Sequence, residues 1–472
     1  MPNMVGQESM KFILLYLFFN IACVPPPAIF QNTGRGEFKR AINKFISENG
    51  ANTNFGIKVI SLATRETLYS LNSTKLMTPA SNMKLFTAAA AIHYLGPDHQ
   101  FKTSVLIDKK NLVLKGGGDP NLTLEQLDSL AGIVSGKIKS VDTLFLDASL
   151  LDSIPYGEGW MWDEGAWEFA APIGALSVND NCVEIEFRPG KMGKPARIKS
   201  IPKTDYISIE NLSITVNDTV DYKNFKVDRD WSKRTNKFTI FGELLRYTSV
   251  DTVKRNIQDP TQFTGSLFKE SLESKGTNVG LIYVGTKSSL SDILAVHMSD
   301  SLHKAATHMM HDSDNLTAEL LVKTMGIEVD SPGNWKTGID TMKTFLFDKV
   351  GIDTAALRIA DGSGLSRYNL LSADHVIDLL VYMYHSCESE NFVQSLPAGG
   401  TLESTMEKRL ITTGGKIRVK SGTMSGISTL SGYAFSPRYG PVAFSILMNG
   451  FIGSPKPAQD FQDKICEWLV RD

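Results

Sequence analysis

Cysteine is scarce in this chain of 472 residues: Cys23, Cys182, Cys387 and Cys466 make up the whole complement. No pair has CxxC spacing, so neither a zinc site nor a redox pair is signalled. The eight histidines form no HExxH. These absences leave no metal site and no cofactor to be read from the sequence. Charge of one sign is missing too, since 49 basic against 51 acidic side chains give a net charge of −2. Without a basic stripe and interleaved aromatics, nucleic acid is excluded as a partner. No internal repeat or low-complexity segment is visible. Beyond the N-terminus no apolar run is long enough to span a membrane. What remains is ordinary globular composition, 42% apolar and 21% charged, enough to bury a sizeable core.

The apolar run at the N-terminus, "FILLYLFFNIACV" after Met10 and Lys11, has the length of a signal peptide and is too short for a spanning helix. A leader over residues 1–28 implies export to the periplasm or cell envelope. "NIAC" loosely resembles a lipoprotein cleavage box, so a lipid anchor at Cys23 and peripheral membrane association stay open, as does homo-oligomerisation. With Cys23 removed or lipidated, an odd number of cysteines is left, and no disulfide framework holds the fold.

The two ends of the chain read as one α+β layer. "EFKRAINKFISENG" places Phe38, Ile42, Phe45 and Ile46 on one helical face. "NFGIKVISLATRETLYSLNS" alternates on both sides of a polar turn and predicts a hairpin. At the far end "RVKSGTMSGISTLSGYAFS" and "GPVAFSILMNGF" predict antiparallel strands, and "PAQDFQDKICEWLV" a closing amphipathic helix. The middle is richer in short strands and turns. We expect a catalytic layer over 36–96 and 291–472, an inserted α/β domain over 97–182 and 255–290, and a nested β-rich domain over 183–254.

"TPASNMKLFTAAAA" carries Ser81 and Lys84 three apart, on one helical face. A serine hydroxyl needs a base beside it. A lysine can be that base only when neutral, which burial and a second cation both favour. Ser-x-x-Lys alone is weak: it recurs at Ser200/Lys203, Ser266/Lys269 and Ser301/Lys304. "HDSDNLTAELLVKTMG" offers Ser313 and Asn315 before an amphipathic helix, where Ser313 or Asp314 could equally be a helix cap. A third element, Lys-Ser/Thr-Gly, occurs at Lys336-Thr337-Gly338 and at Lys420-Ser421-Gly422, followed by Thr423. The chemistry wants it on a strand, where a substrate can pair along the edge and glycine leaves room for it. Lys336 lies between a Pro-Gly turn and a helix start, so Lys420 is preferred. Ser81/Lys84, Ser313/Asn315 and Lys420/Thr423 then form the trio of the β-lactamases and penicillin-binding proteins.

Beyond these motifs the chain resembles the D-alanyl-D-alanine carboxypeptidase/endopeptidases, the class C low-molecular-mass penicillin-binding proteins. "LKGGGDPNLT" is similar to their glycine-rich signature, where Gly116 to Gly118 and Asp119 read as a turn. "GEGWMWDEGAWEFAAPIGALSVNDN" and "ADGSGLSRYNLLSA" resemble two further family segments. The gap of 232 residues between Ser81 and Ser313 suits inserted domains; 107 residues separate Ser313 from Lys420. The resemblance implies a β-lactamase/transpeptidase-like α+β fold, an antiparallel sheet with helices on both faces. It implies Ser81 as nucleophile toward peptidoglycan stem peptides, Lys84 as base and Ser313 as proton relay. Asn315 would fix Lys84 and the peptide, Lys420 would hold the field positive, and Ser421, Gly422 and Thr423 would bind substrate. The N–H groups of Ser81 and Thr423 would form the oxyanion hole. Glu164, Phe169 and Arg367 fall near the family's pocket for a diaminopimelate side chain, with Ser425 a departure from some relatives. β-Lactams would be covalent inhibitors. The alternatives are a β-lactamase or esterase on the same fold, and an inactive wall-binding or β-lactam-sensing module.

Overall fold

The computed structural model describes residues 35–49, 52–218, 224–286 and 292–471. The apolar leader and Cys23 lie outside the described residues. Among those described, no helix is long and apolar enough to cross a membrane, and no group of His, Cys, Asp or Glu is assembled to hold a metal.

Both ends of the chain build one five-stranded antiparallel sheet. Its order is Ile417–Met424, Ile427–Ser436, Gly440–Asn449, Asn54–Ser61 and Thr67–Leu71. The two strands Ile427–Ser436 and Gly440–Asn449 are buried along nearly their whole length because helices cover both faces. Alternation sends Tyr433 and Ala443 into one core, with helices Met83–Leu95, Asn315–Ile327 and Ala373–His385. Leu430, Phe444 and Ile446 enter the other, under helices Arg35–Asn49 and Lys456–Val470. Stacking of Phe38 on Trp468 (4.2 Å between centroids) and of Phe45 on Phe461 (4.3 Å) ties those two helices together.

A second five-stranded sheet, mixed in direction, lies between: Asn278–Val284, Ser140–Asp147, Asn111–Lys115, Gln100–Asp108 and Asp292–Ser301. A boundary at 290/291 would leave Asp292–Ser301 in the first layer. Its antiparallel pairing with Gln100–Asp108 instead makes it the outer strand of the second sheet. The chain returns to the first layer at helix Leu302–Asp312. The β-rich piece is not closed on itself either. Cys182–Arg188 pairs with Asp251–Asn256, and Val227, Phe238 and Ile240 share one hydrophobic cluster with Leu112, Leu144 and Phe268.

Candidate active site

Pro79 to Asn82 form a single 3₁₀ turn that feeds helix Met83–Leu95. Ala80 in this turn has φ +47°, a left-handed conformation that costs a non-glycine residue free energy and is held only by its surroundings. The holding groups are visible. Thr429 Oγ1 donates to Pro79 O at 2.9 Å, and Asn82 Nδ2 donates to Lys420 O at 2.7 Å. Gly364 fits directly against Ala80, where a Cβ would meet the Ala80 carbonyl oxygen at 1.8 Å. Ser81 is thereby presented half-buried at the head of a helix whose residues 83 to 92 are all buried.

Lys84 is wholly buried and its amine has three partners. Nζ lies 3.2 Å from Ser81 Oγ, and donates to Asn315 Oδ1 at 2.5 Å and to Ser363 O at 2.9 Å. Burial pushes its pKa down to about 8, while the carboxylates of Asp314, Glu319 and Asp361 oppose the fall. The setting of the amine is therefore not purely apolar, although residues 85 to 92 of its own helix are, Thr87 apart.

Ser313 ends helix Leu302–Asp312 in a left-handed conformation, φ +62°. Asp314 caps the next helix by accepting from Leu316 N and Thr317 N. The cap role thus falls to Asp314 and leaves Ser313 and Asn315 free to face the cleft. Asn315 Nδ2 donates to Phe169 O at 2.8 Å, which brings the tryptophan-rich segment onto the site.

Lys420 lies on Ile417–Met424, the edge strand of the first sheet. Its buried amine donates to Ser313 Oγ and to Ser421 O, both at 2.9 Å. Burial and the neighbouring Lys84 push its pKa well down, and only Asp312 opposes them. Ser421 is buried on the same strand and Thr423 is exposed. The missing side chain of Gly422 serves a different purpose from the one expected. A Cβ there would lie 2.8 Å from Ser81 N and 2.4 Å from Thr429 Oγ1, so glycine admits the nucleophile turn itself. Gly422→Ala is expected to destabilise by about 1–3 kcal/mol through overpacking and to slow modification of Ser81. Thermal melts and labelling time courses check both.

At the mouth of the cleft, burial raises the Glu164 carboxyl to about 6 and the Arg367 charge opposes the rise. Arg367 is exposed and donates to Ser425 O at 3.2 Å. Phe169 is 40% exposed, so a core role is excluded; its ring stacks at 6.3 Å on Trp167. The remaining Ser-x-x-Lys pairs and Lys336 take no part. Ser301 precedes helix Leu302–Asp312, Lys304 pairs with Asp300, and Lys336 is 86% exposed beside Asp340.

Several residues of the site went unread in the sequence: Asn82, Glu319, Asp361 and the carbonyl of Ser363. A signal for Glu319 existed. It stands four residues after Asn315, on the same face of the helix.

A half-buried serine at a helix start, two buried amines and the edge strand of a sheet are the arrangement of a serine peptidase of the penicillin-binding class. The chain belongs to the D-Ala-D-Ala carboxypeptidase 3 (S13) family, which it matches over residues 38–471. It is 35% identical to a D-alanyl-D-alanine carboxypeptidase of Actinomadura sp. (strain R39), over 86% of this chain and 79% of that one. Against the D-alanyl-D-alanine carboxypeptidase DacB of Haemophilus influenzae identity is 27%, over 85% and 86%. The solved structure of penicillin binding protein 4 (dacB) from Haemophilus influenzae superposes with a TM-score of 0.80 at 24% identity, covering 91% of this chain and 99% of that one. A predatory peptidoglycan endopeptidase from Bdellovibrio bacteriovorus superposes with a TM-score of 0.51 at 14% identity, over 88% and 92%.

Proposed function

We propose that the protein is a serine D-alanyl-D-alanine carboxypeptidase of peptidoglycan stem peptides, acting through an acyl-enzyme on Ser81 and modified there by β-lactams. The observation that carries this is the Lys84 amine held 3.2 Å from Ser81 Oγ while Lys420 holds Ser313 Oγ. Both amines are buried and the Lys84 charge presses the Lys420 pKa down, so the pair shares one proton. With three carboxylates supporting Lys84 and one supporting Lys420, the resting proton sits on Lys84. A substrate's terminal carboxylate arriving at Thr423 and Lys420 favours charge on Lys420 and so frees Lys84 to act as base. Ser81 Oγ then attacks the carbonyl carbon of the penultimate D-alanine. Its proton passes to Lys84, the C–N bond breaks, and the leaving nitrogen takes a proton from Ser313, replaced from Lys420. Each amine returns to its resting state. The N–H groups of Ser81 and Thr423 stabilise the oxyanion, and water completes hydrolysis.

Glu164 and Arg367 fit the zwitterionic end of a diamino acid side chain, one for its ammonium and one for its carboxylate, with Phe169 beside them. Residues 36–96 and the segment from Leu302 onward form the catalytic domain, and the second sheet with its β-rich extension is an insertion. An exported protein of the periplasm or envelope fits this substrate. Incubation with a defined pentapeptide muropeptide is expected to release D-alanine, and a fluorescent penicillin to give a long-lived adduct on the peptide containing Ser81. Mass spectrometry checks both. Rapid turnover of the penicillin without D-alanine release would favour a β-lactamase instead.

A further inference from the structure

The turn "ADGSG" passes directly beneath the Lys84 amine, and a residue outside the three motifs holds it there. Gly362 O accepts from Thr87 Oγ1 at 2.6 Å and Ser363 O accepts from Lys84 Nζ at 2.9 Å. The Ser363 N–H, in the same peptide unit as Gly362 O, and the Gly362 N–H point the other way, into Glu319. Ser363 N donates to Oε1 at 2.8 Å, and Gly362 N to Oε2 at 2.9 Å. Trp335 Nε1 donates to Oε2 at 2.7 Å. Glu319 has no exposed surface, and it lies one helical turn beyond Asn315, which holds the same amine directly.

We propose that Glu319 is the positioning residue of this site: it anchors the turn whose carbonyl accepts from Lys84, and it places an anion under that amine. The inference rests on the reading of Lys84 as base. Three donors converging on one carboxylate favour its charged form. Burial and the nearby Asp361 carboxylate push harder the other way and raise its pKa to about 7, so it is charged at the pH near 8 where Lys84 titrates. Asp361 has its own donors, Gly364 N, Ser366 N, Asn369 Nδ2 and Trp160 Nε1. The other charged groups facing this cluster are Asp314, Lys420 and Lys323. Lys323 sits 3.7 Å over the Trp335 ring and pairs with Asp152 at 2.6 Å. Glu319 reaches Lys84 through the backbone of Ser363, whose N–H it accepts and whose carbonyl accepts from the amine, while Asp361 accepts from Gly364 N on the far side of that carbonyl.

The sign of its effect is fixed. An anion beside Lys84 holds the proton shared by the two amines to higher pH, and acylation needs that proton on the pair, free to pass to Lys420. Removing the anion moves the basic limb of the acylation profile to lower pH. The experiment measures the rate of fluorescent-penicillin labelling against pH for wild type, Glu319→Gln, Glu319→Asp and Trp335→Phe. Glu319→Gln is expected to shift the limb down by about one pH unit and to lower the plateau by up to about 10²-fold through misplacement of the amine. Glu319→Asp, with charge kept, leaves the limb where it was while lowering the plateau. Trp335→Phe removes one donor to the carboxylate and shifts the limb in the same direction by less, which keeps the test open if Glu319→Gln does not fold. A lowered plateau with the limb unmoved in both Glu319→Gln and Trp335→Phe, the label still on Ser81, overturns this inference alone. A wild-type label on any other residue overturns the reading beneath it.

Discussion

Lys84→Ala is expected to slow acylation of Ser81 by about 10²–10⁴-fold, the usual contribution of a positioned base, while the protein stays folded. Among the described residues, the amine is the group held within hydrogen-bonding reach of Ser81 Oγ that can take its proton. Its removal leaves the Asn315 Oδ1 and Ser363 O acceptors without their donor, at about 1–3 kcal/mol each. It also removes a buried cation, which is itself costly in so apolar a helix. The melt should therefore remain cooperative. In the wild type the one proton shared by the two amines leaves as pH rises through about 8, the lowered pKa of Lys84, so labelling should hold below that pH and fall above it. The variant should show a slow rate without that limb. Stopped-flow or gel-based labelling across pH decides the matter, and wild-type-like rates in Lys84→Ala would remove Lys84 as base.

The parts of this site that were legible in the sequence are those whose chemistry is local. Ser81 and Lys84 share a helical face, Ser313 and Asn315 flank a cap, and Lys420 follows the alternating start of a strand. Each could be recognised within a handful of residues. Illegible were the groups whose role depends on a distant partner. Asn82 looks like a helix-start residue until its amide is seen on Lys420 O, 338 positions away. Asp361 lies in a quoted segment, yet nothing local says that its carboxylate is buried and ringed by donors. The fold follows the same rule. The hairpin and the three C-terminal strands show in their alternation, whereas Asp292–Ser301 belongs to the second sheet because of a partner strand almost 200 residues upstream. Gly422 was chosen correctly for its need of space, but the occupant of that space, Ser81 N, is set by tertiary packing alone.

Lys420→Ala is expected to lose about 10²-fold or more in acylation, whereas Lys336→Ala should stay within about twofold of wild type, as surface substitutions do. The two lysines carry the same short motif, so the contrast isolates position from sequence. Lys336 sits on helix Trp335–Phe345 with its side chain 86% exposed, against Asp340 at 3.3 Å, an i,i+4 pair of small energetic weight. Lys420 is buried on the edge strand with its amine on Ser313. Its loss removes the positive charge that a substrate carboxylate would induce there and the proton supply to the leaving nitrogen. A second consequence separates those roles from simple damage to the fold. Wild type should prefer a β-lactam with a free carboxylate over its methyl ester, because the carboxylate moves the proton off Lys84. In Lys420→Ala that preference should largely vanish, since no second amine is left to receive charge. Competition between free acid and ester, read as relative labelling rates in both proteins, is the measurement. Retention of the full preference in Lys420→Ala would sink the two-amine scheme, and a silent Lys420→Ala beside a damaged Lys336→Ala would move the third element of the site to Lys336.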